Sequence, residues 1–107
     1  MKGEPLKGHL DLLILATLRG HPAHGYAVAQ RLADTSAGAF ELGESTLYPA
    51  LHRLQRKGLL TSTWTTAAGR KRRVYEVTGA GEAALEGQRR DWEQFAGGVQ
   101  RTLEAMG

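Results

Sequence analysis

The sequence predicts a mainly α-helical chain with one small β-hairpin and a long helix at its C-terminal end. Three observations carry this expectation. Apolar residues recur at helical spacing in the first half of the chain. Two runs rich in Thr, Trp, Val and Tyr flank Ala67-Ala68-Gly69-Arg70. Beyond Thr78, apolar residues repeat with a heptad-like period to the end. At 107 residues and 41% hydrophobic content, the chain is long enough for one compact core and too short for two.

Leu10, Leu13, Ile14 and Leu18 share a helical face, and Gly20 with Pro22 supply a stop, so a first helix is expected from about Lys7 to Arg19. After His24-Gly25, a short second helix over Tyr26 to Asp34 places Tyr26, Ala29 and Leu32 or Ala33 on one face, with Gln30 and Arg31 turned outward. Thr35 to Gly43, carrying Gly38 and Gly43, reads as a connection. A third helix is expected to begin near Glu44 to Thr46 and to run to Lys57, where Gly58 is placed to end it. Leu47, Leu51 and Leu54 form its buried stripe, opposite Tyr48, His52, Arg53, Gln55 and Arg56. Pro49 lacks an amide hydrogen and clashes in a helix interior, so the regular helix should start close before it or be distorted in its first turn.

Leu59 to Thr66 and Val74 to Thr78 are the expected strands of the hairpin. Tyr75 and Val77 then share a face, and the Arg70 to Arg73 cluster sits at the tip and its descending edge. Thr78 can cap the last helix, with Glu82 and Glu86 near its positive end. Leu85, Trp92, Phe95, Val99, Leu103 and Met106 are separated by 7, 3, 4, 4 and 3 residues, a seam that calls for a second helix. Gly97-Gly98 costs propensity in mid-helix, so packing has to hold that stretch. The expected division is residues 1–78 for the short helices and hairpin, and residues 79–107 for a C-terminal dimerisation helix.

The chain carries a formal charge of +3, unevenly spread. From Ser45 to Tyr75 there are seven Lys or Arg residues and no Asp or Glu, whereas the remaining seven basic and eleven acidic residues leave the rest at −4. Such concentration is an electrostatic footprint for phosphate. The absence of cysteine removes disulfides, thiolate nucleophiles and Cys-containing zinc sites, and fits a cytoplasmic location. Leu10 to Leu18, interrupted by Asp11, is far shorter than the roughly 20 residues of a membrane span. No run resembles a cleavable signal peptide. His9, His21, His24 and His52 show no recognised metal spacing, and His24 more simply packs at a helix start. No nucleophile and base pair, glycine-rich phosphate loop or carboxylate pair is recognisable, so neither an enzyme nor a cofactor is expected.

Three helices followed by a two-stranded wing form the winged helix-turn-helix, in which the third helix enters the major groove of double-stranded DNA and the hairpin reaches backbone or minor groove. Ser45, Thr46, Tyr48 and Pro49 then stand at the start of that helix, where hydroxyls and first-turn amides are ordinary phosphate contacts. His52 and Arg53 lie one turn further on, within reach of base edges, Arg favouring guanine. Arg70, Lys71, Arg72 and Arg73 are candidates for backbone or minor-groove contacts; elsewhere such a cluster is usually a solvated loop tip. The dimer-interface candidates are Leu85, Trp92, Phe95, Val99 and Leu103. The competing reading is a protein-interaction module that uses the long helix, with the basic patch incidental.

His24-Gly25-Tyr26, then Thr46-Leu47-Tyr48-Pro49-Ala50-Leu51 with Arg53-Leu54 and Gly58-Leu59-Leu60, then Gly69-Arg70-Lys71-Arg72-Arg73 with Tyr75 and Thr78, resemble the PadR family of bacterial regulators. The likeness runs from Leu10 to Trp92 or beyond. It implies a homodimer joined largely through the last helix, binding a roughly palindromic operator and usually repressing transcription. The chain looks like the short type with one terminal helix. Trp92 matches the position where some short members place an interface tryptophan that stacks flat ligands, which makes it the candidate site for a planar aromatic effector.

Overall fold

The computed structural model describes residues 9–107. The expected helix start at Lys7 lies outside them. Four helices and three strands follow in the order α1 Leu10–Leu18, β1 Ala23–His24, α2 Gly25–Thr35, α3 Glu44–Arg56, β2 Leu60–Ala67, β3 Arg70–Val77 and α4 Gly79–Met106. The winged helix-turn-helix with a long C-terminal helix is therefore the observed architecture.

α1 is apolar on most of its circumference, and such a helix belongs inside. Leu10, Ile14, Leu15 and Leu18 are buried, while Leu13 is only half-buried. The buried set is wider than the single stripe expected because α2, α3, α4 and β3 all pack on this helix. In α2 the inward face is Gly25, Val28 and Leu32. Tyr26, expected inside, is 68% exposed. The helix begins one residue earlier than expected, capped by His24, whose Nδ1 accepts from the Ala27 amide at 3.4 Å. That cap sets the phase of the helix and turns Tyr26 to solvent. Arg31, expected outward, instead donates to the carbonyls of Thr17 at 3.0 Å and His21 at 2.6 Å. It thus serves one of the orphan carbonyls that every helix C-terminus leaves, here that of α1.

α3 buries Leu47, Ala50, Leu51 and Leu54 and runs through Pro49 without a break. Proline there leaves the Ser45 carbonyl without its helical donor. Both residues are exposed, so solvent can serve that carbonyl. The sheet is antiparallel in the order β1-β3-β2, and β1, too short to be legible in the sequence, pairs Ala23 with Tyr75. β3 begins at Arg70, four residues before its expected start at Val74. The hairpin turn is only Ala68-Gly69, both at positive φ (52° and 75°), the type I′ geometry that suits strand twist. With so tight a turn the ladder continues to Ala67↔Arg70, and the basic cluster becomes strand instead of loop tip.

Thr78 caps α4 as expected, its Oγ1 accepting from the Gly81 amide at 3.0 Å and donating to the Gly58 carbonyl at 2.6 Å. The helix is continuous through Gly97-Gly98. Its first turns belong to the same core as the rest: Leu85 is 4% exposed, packed with Ile14, Leu18, Leu54 and Tyr75 in one apolar cluster. Leu85 therefore departs from the expected seam. Its side chain is enclosed within its own chain because α4 lies across α1 before it projects. A helix of 28 residues is roughly 42 Å long. Its far half extends the molecule to 57 × 28 × 21 Å.

Candidate nucleic-acid interface

Two contacts bring the start of α2 against α3 and the hairpin. A Cβ on Gly25 would lie 2.8 Å from Cε1 of Tyr48, so the ring of Tyr48 is seated on the Gly25 backbone. Beside it, His24 joins α2 to the wing: Nη1 of Arg72 approaches its Nε2 at 2.8 Å. Burial first, then the positive charges of Arg72 and Arg31, hold the His24 pKa below its ordinary value of 6.5. At neutral pH the imidazole is uncharged and has a single acceptor nitrogen, so the Ala27 amide at Nδ1 and the Arg72 guanidinium at Nε2 are served by different tautomers.

A groove of about 520 Å³ opens here, lined by Tyr26, Tyr48, Trp64 and the Arg70 to Arg73 segment, with no carboxylate in its wall. A second, shallower hollow of about 340 Å³ lies between α3 and β3, lined by His52, Gln55, Arg56 and Arg73. Gln55 is oriented by Ser62 of β2, whose Oγ donates to its Oε1 at 3.0 Å. Alternation along β3 sends Lys71 and Arg73 to one face and Arg70 and Arg72 to the other. The guanidinium of Arg73 lies 4.9 Å from the ring centre of Trp64, its cross-strand partner. Ser45 and Pro49 are exposed on the first turns of α3 and Thr46 is half-buried. Of the expected DNA-contacting set, the structure thus gathers Tyr48, His52 and Arg70 to Arg73 around two adjoining concavities.

Arg53 stands apart. Its Nη2 meets Oδ1 of Asp11 at 2.5 Å, tying α3 to α1. It faces a third hollow, of about 440 Å³, shared with His9, Asp91, Trp92 and Phe95. The Trp92 ring is 42% exposed, edge-on to His9 at 5.2 Å and tilted against Phe95 at 6.1 Å. Beyond it Phe95, Val99, Leu103 and Met106 lie exposed along the projecting half of α4. Leu85 is not among them. Among the described residues, no group of three His, Asp or Glu side chains could hold a metal ion, and no helix is long and apolar enough to cross a membrane.

Sequence reasoning missed Trp64, Tyr26 and the His24–Arg72 contact. A signal for Trp64 existed: reading Ala68-Gly69 as a two-residue turn sets Trp64 opposite Arg73 by register alone. The Arg53–Asp11 and His24–Arg72 contacts had none, since 42 and 48 residues separate the partners.

Residues 14–87 match the family described as "Transcriptional regulator PadR-like family". The chain is 42% identical over 85 residues to "Transcriptional regulator Rv3488" of Mycobacterium tuberculosis, covering 79% of this chain and 77% of that one. It is similar to the crystal structure of a PadR family transcriptional regulator from Eggerthella lenta, with a TM-score of 0.80, 36% identity, and coverage of 92% of this chain and 84% of the other. A PadR-like regulator from Bacillus cereus superposes with a TM-score of 0.82 at 27% identity, covering 94% and 97% of the two chains.

Proposed function

Because this chain belongs to the PadR-like family of transcriptional regulators, we propose that it acts as a homodimeric repressor that binds a pseudo-palindromic DNA operator. DNA-binding regulation, not catalysis, is what the family performs. The observation that carries the reading is the pair of adjoining concavities beside α3 and β3, walled by cations and aromatic rings without a carboxylate. In this reading Ser45, Thr46, Tyr48 and Pro49 approach phosphates, and His52 reaches base edges from α3. Arg70, Lys71 and Arg72 take backbone or minor groove, and Arg73 meets DNA from the hollow it shares with α3. Arg53 would have to leave Asp11 to reach DNA, and we assign it to the α1–α3 contact in the free protein.

Residues 79–107 pair two chains through Trp92, Phe95, Val99 and Leu103, the first turns of the helix being shared with the DNA-binding unit of residues 1–78. The exposed apolar stripe along α4 supports this. Across a two-fold axis, two Trp92 rings would form a slot for a planar aromatic effector. Such a ligand releases the operator only by favouring one dimer geometry over another, and a coupling of roughly 1 to 3 kcal/mol suffices. The variant Trp64→Phe leaves Trp92 as the sole tryptophan reporter, and a true effector must both quench it and loosen DNA.

The deciding experiment measures affinity for duplex DNA against salt. Neutralising about 6 to 10 phosphates costs roughly 10³- to 10⁵-fold between about 50 and 200 mM salt. A flat response would refute phosphate-led binding.

A further inference from the structure

None of the DNA contacts assigned to α3 and the wing uses Trp64, yet its placement is unusual. It is a large apolar ring, 64% exposed, in the middle of a strand whose neighbours are threonines. What it touches is Arg73, whose guanidinium carbon lies 4.9 Å from the ring centre. The Arg73 side chain makes no hydrogen bond or ion pair among the described residues, and its Nε is buried without a partner. A guanidinium is normally placed by a carboxylate fork or by carbonyls, as Arg31 and Arg53 are here. Arg73 is placed by a ring face alone, which orients the cation and leaves its charge and its terminal N–H groups unspent.

The cation is held over the hollow with His52, Gln55 and Arg56. Neither the His52 nor the Arg56 side chain has a hydrogen-bond or ion-pair partner among the described residues. Ser62 occupies the carbonyl oxygen of Gln55, which leaves the amide N–H₂ as the group on offer. No carboxylate lines the hollow. Donors converge there from a helix and a strand, and the ligand that matches is a cluster of acceptors. Duplex DNA supplies two: the oxygens of a backbone phosphate, and the O6 and N7 pair of a guanine edge.

We propose that Trp64 is a positioning residue for DNA recognition: its ring holds the Arg73 guanidinium over the hollow between α3 and β3, where Arg73, Arg56, His52 and Gln55 together take one acceptor cluster of the operator. The inference rests on the DNA-binding reading and adds to it a residue that need not touch DNA.

The test uses the full-length protein and a duplex that the wild type selects from a randomised library, with a scrambled duplex of equal composition as control. Trp64→Ala should weaken binding by about 2- to 5-fold, the span that an exposed cation–π contact gives. Trp64→Phe, which keeps a ring face, should restore most of it. In an Arg73→Ala background, Trp64→Ala should change nothing further, because the ring then has no cation to place. Thermal melts of each variant separate misfolding from lost positioning. Equal losses from Trp64→Ala with and without Arg73, or no loss at all, overturn the proposal. Failure of the wild type to select any duplex overturns instead the DNA-binding reading beneath it. The source of the acceptor is read from Arg73→Ala. A loss common to both duplexes with a salt slope lower by about one identifies phosphate, and a loss confined to the selected duplex identifies a guanine edge.

Discussion

Replacing Gly81 by alanine should destabilise this protein, although the same change usually strengthens a helix. Gly81 is the third residue of α4, where the chain leaves the sheet and turns into the helix. A Cβ there would lie 2.1 Å from the carbonyl oxygen of Leu59 and 2.8 Å from Cγ1 of Val77. The first obstacle is backbone and cannot rotate away, so it must retreat by more than about 1 Å to reach ordinary contact distance. That carbonyl accepts the Thr78 amide at 3.1 Å, and the neighbouring Gly58 carbonyl accepts the Thr78 hydroxyl at 2.6 Å. Overpacking costs about 1 to 3 kcal/mol. Two weakened hydrogen bonds add about 0.5 to 1.5 kcal/mol each. The helix propensity of alanine returns about 1 kcal/mol. The net loss centres near 3 kcal/mol, a fall in Tm of roughly 12 to 24 °C for a domain of this size.

Gly87, two turns later in the same helix, has nothing within 4 Å of the position a Cβ would take, and Gly87→Ala should raise Tm by roughly 2 to 8 °C. The assay is thermal unfolding followed by far-ultraviolet circular dichroism at one fixed protein concentration, since the proposed pairing of chains would make Tm concentration-dependent. If Gly81→Ala melts at or above the wild-type temperature, the close approach of α4 to the end of α3 and the start of β2 is wrong.

Phe95→Glu with Val99→Glu should yield monomers that lose operator binding, because each carboxylate would be buried unpaired in the seam at a cost of several kcal/mol; an unchanged dimer on sedimentation would refute the seam. Changing Arg70, Lys71 and Arg72 to alanine together should weaken binding to every duplex by a similar factor and lower the salt slope by about three. An effect on one operator variant alone would mean that the wing reads bases. His24 gives a pH dependence of defined sign. Its pKa is lowered in the folded chain, so the unfolded chain takes up the proton first, and stability is full above pH 6.5 and is lost as pH falls below it toward the folded pKa. Relative to His24→Asn, which keeps a side-chain cap, the wild type should lose Tm on acidification; parallel Tm curves for the two would remove His24 from the account.

Helices and wing were legible because each carries a local period or a local punctuation mark. Leu47, Leu51 and Leu54 recur at helical spacing and are buried as that spacing requires. Thr78 caps α4 with the side chain its type suggests. The phase of α2 was not legible, since it depends on His24 serving as the cap and on Gly25 receiving the ring of Tyr48. The length of β3 was misjudged for a related reason. Lys and Arg have little intrinsic preference for strands, and the ladder with Thr65, Thr66 and Ala67 decides their conformation.

By itself, then, the sequence determined the order of the helices and the hairpin, the apolar stripe of α3 and the segregation of positive charge into α3 and the wing, because these are properties of near neighbours along the chain. It also marked a long helix whose exposed apolar residues need a partner. Only the tertiary structure decided which members of each pattern share a site. It withdrew Leu85 from the seam into the chain's own core, drew Arg53 to Asp11, and set Arg73 on Trp64 above His52 and Arg56. Those assignments turn on which side of a helix or strand meets a distant neighbour. A shift of one residue in phase or register reverses them, and that choice is made by packing across the fold, not by the local sequence.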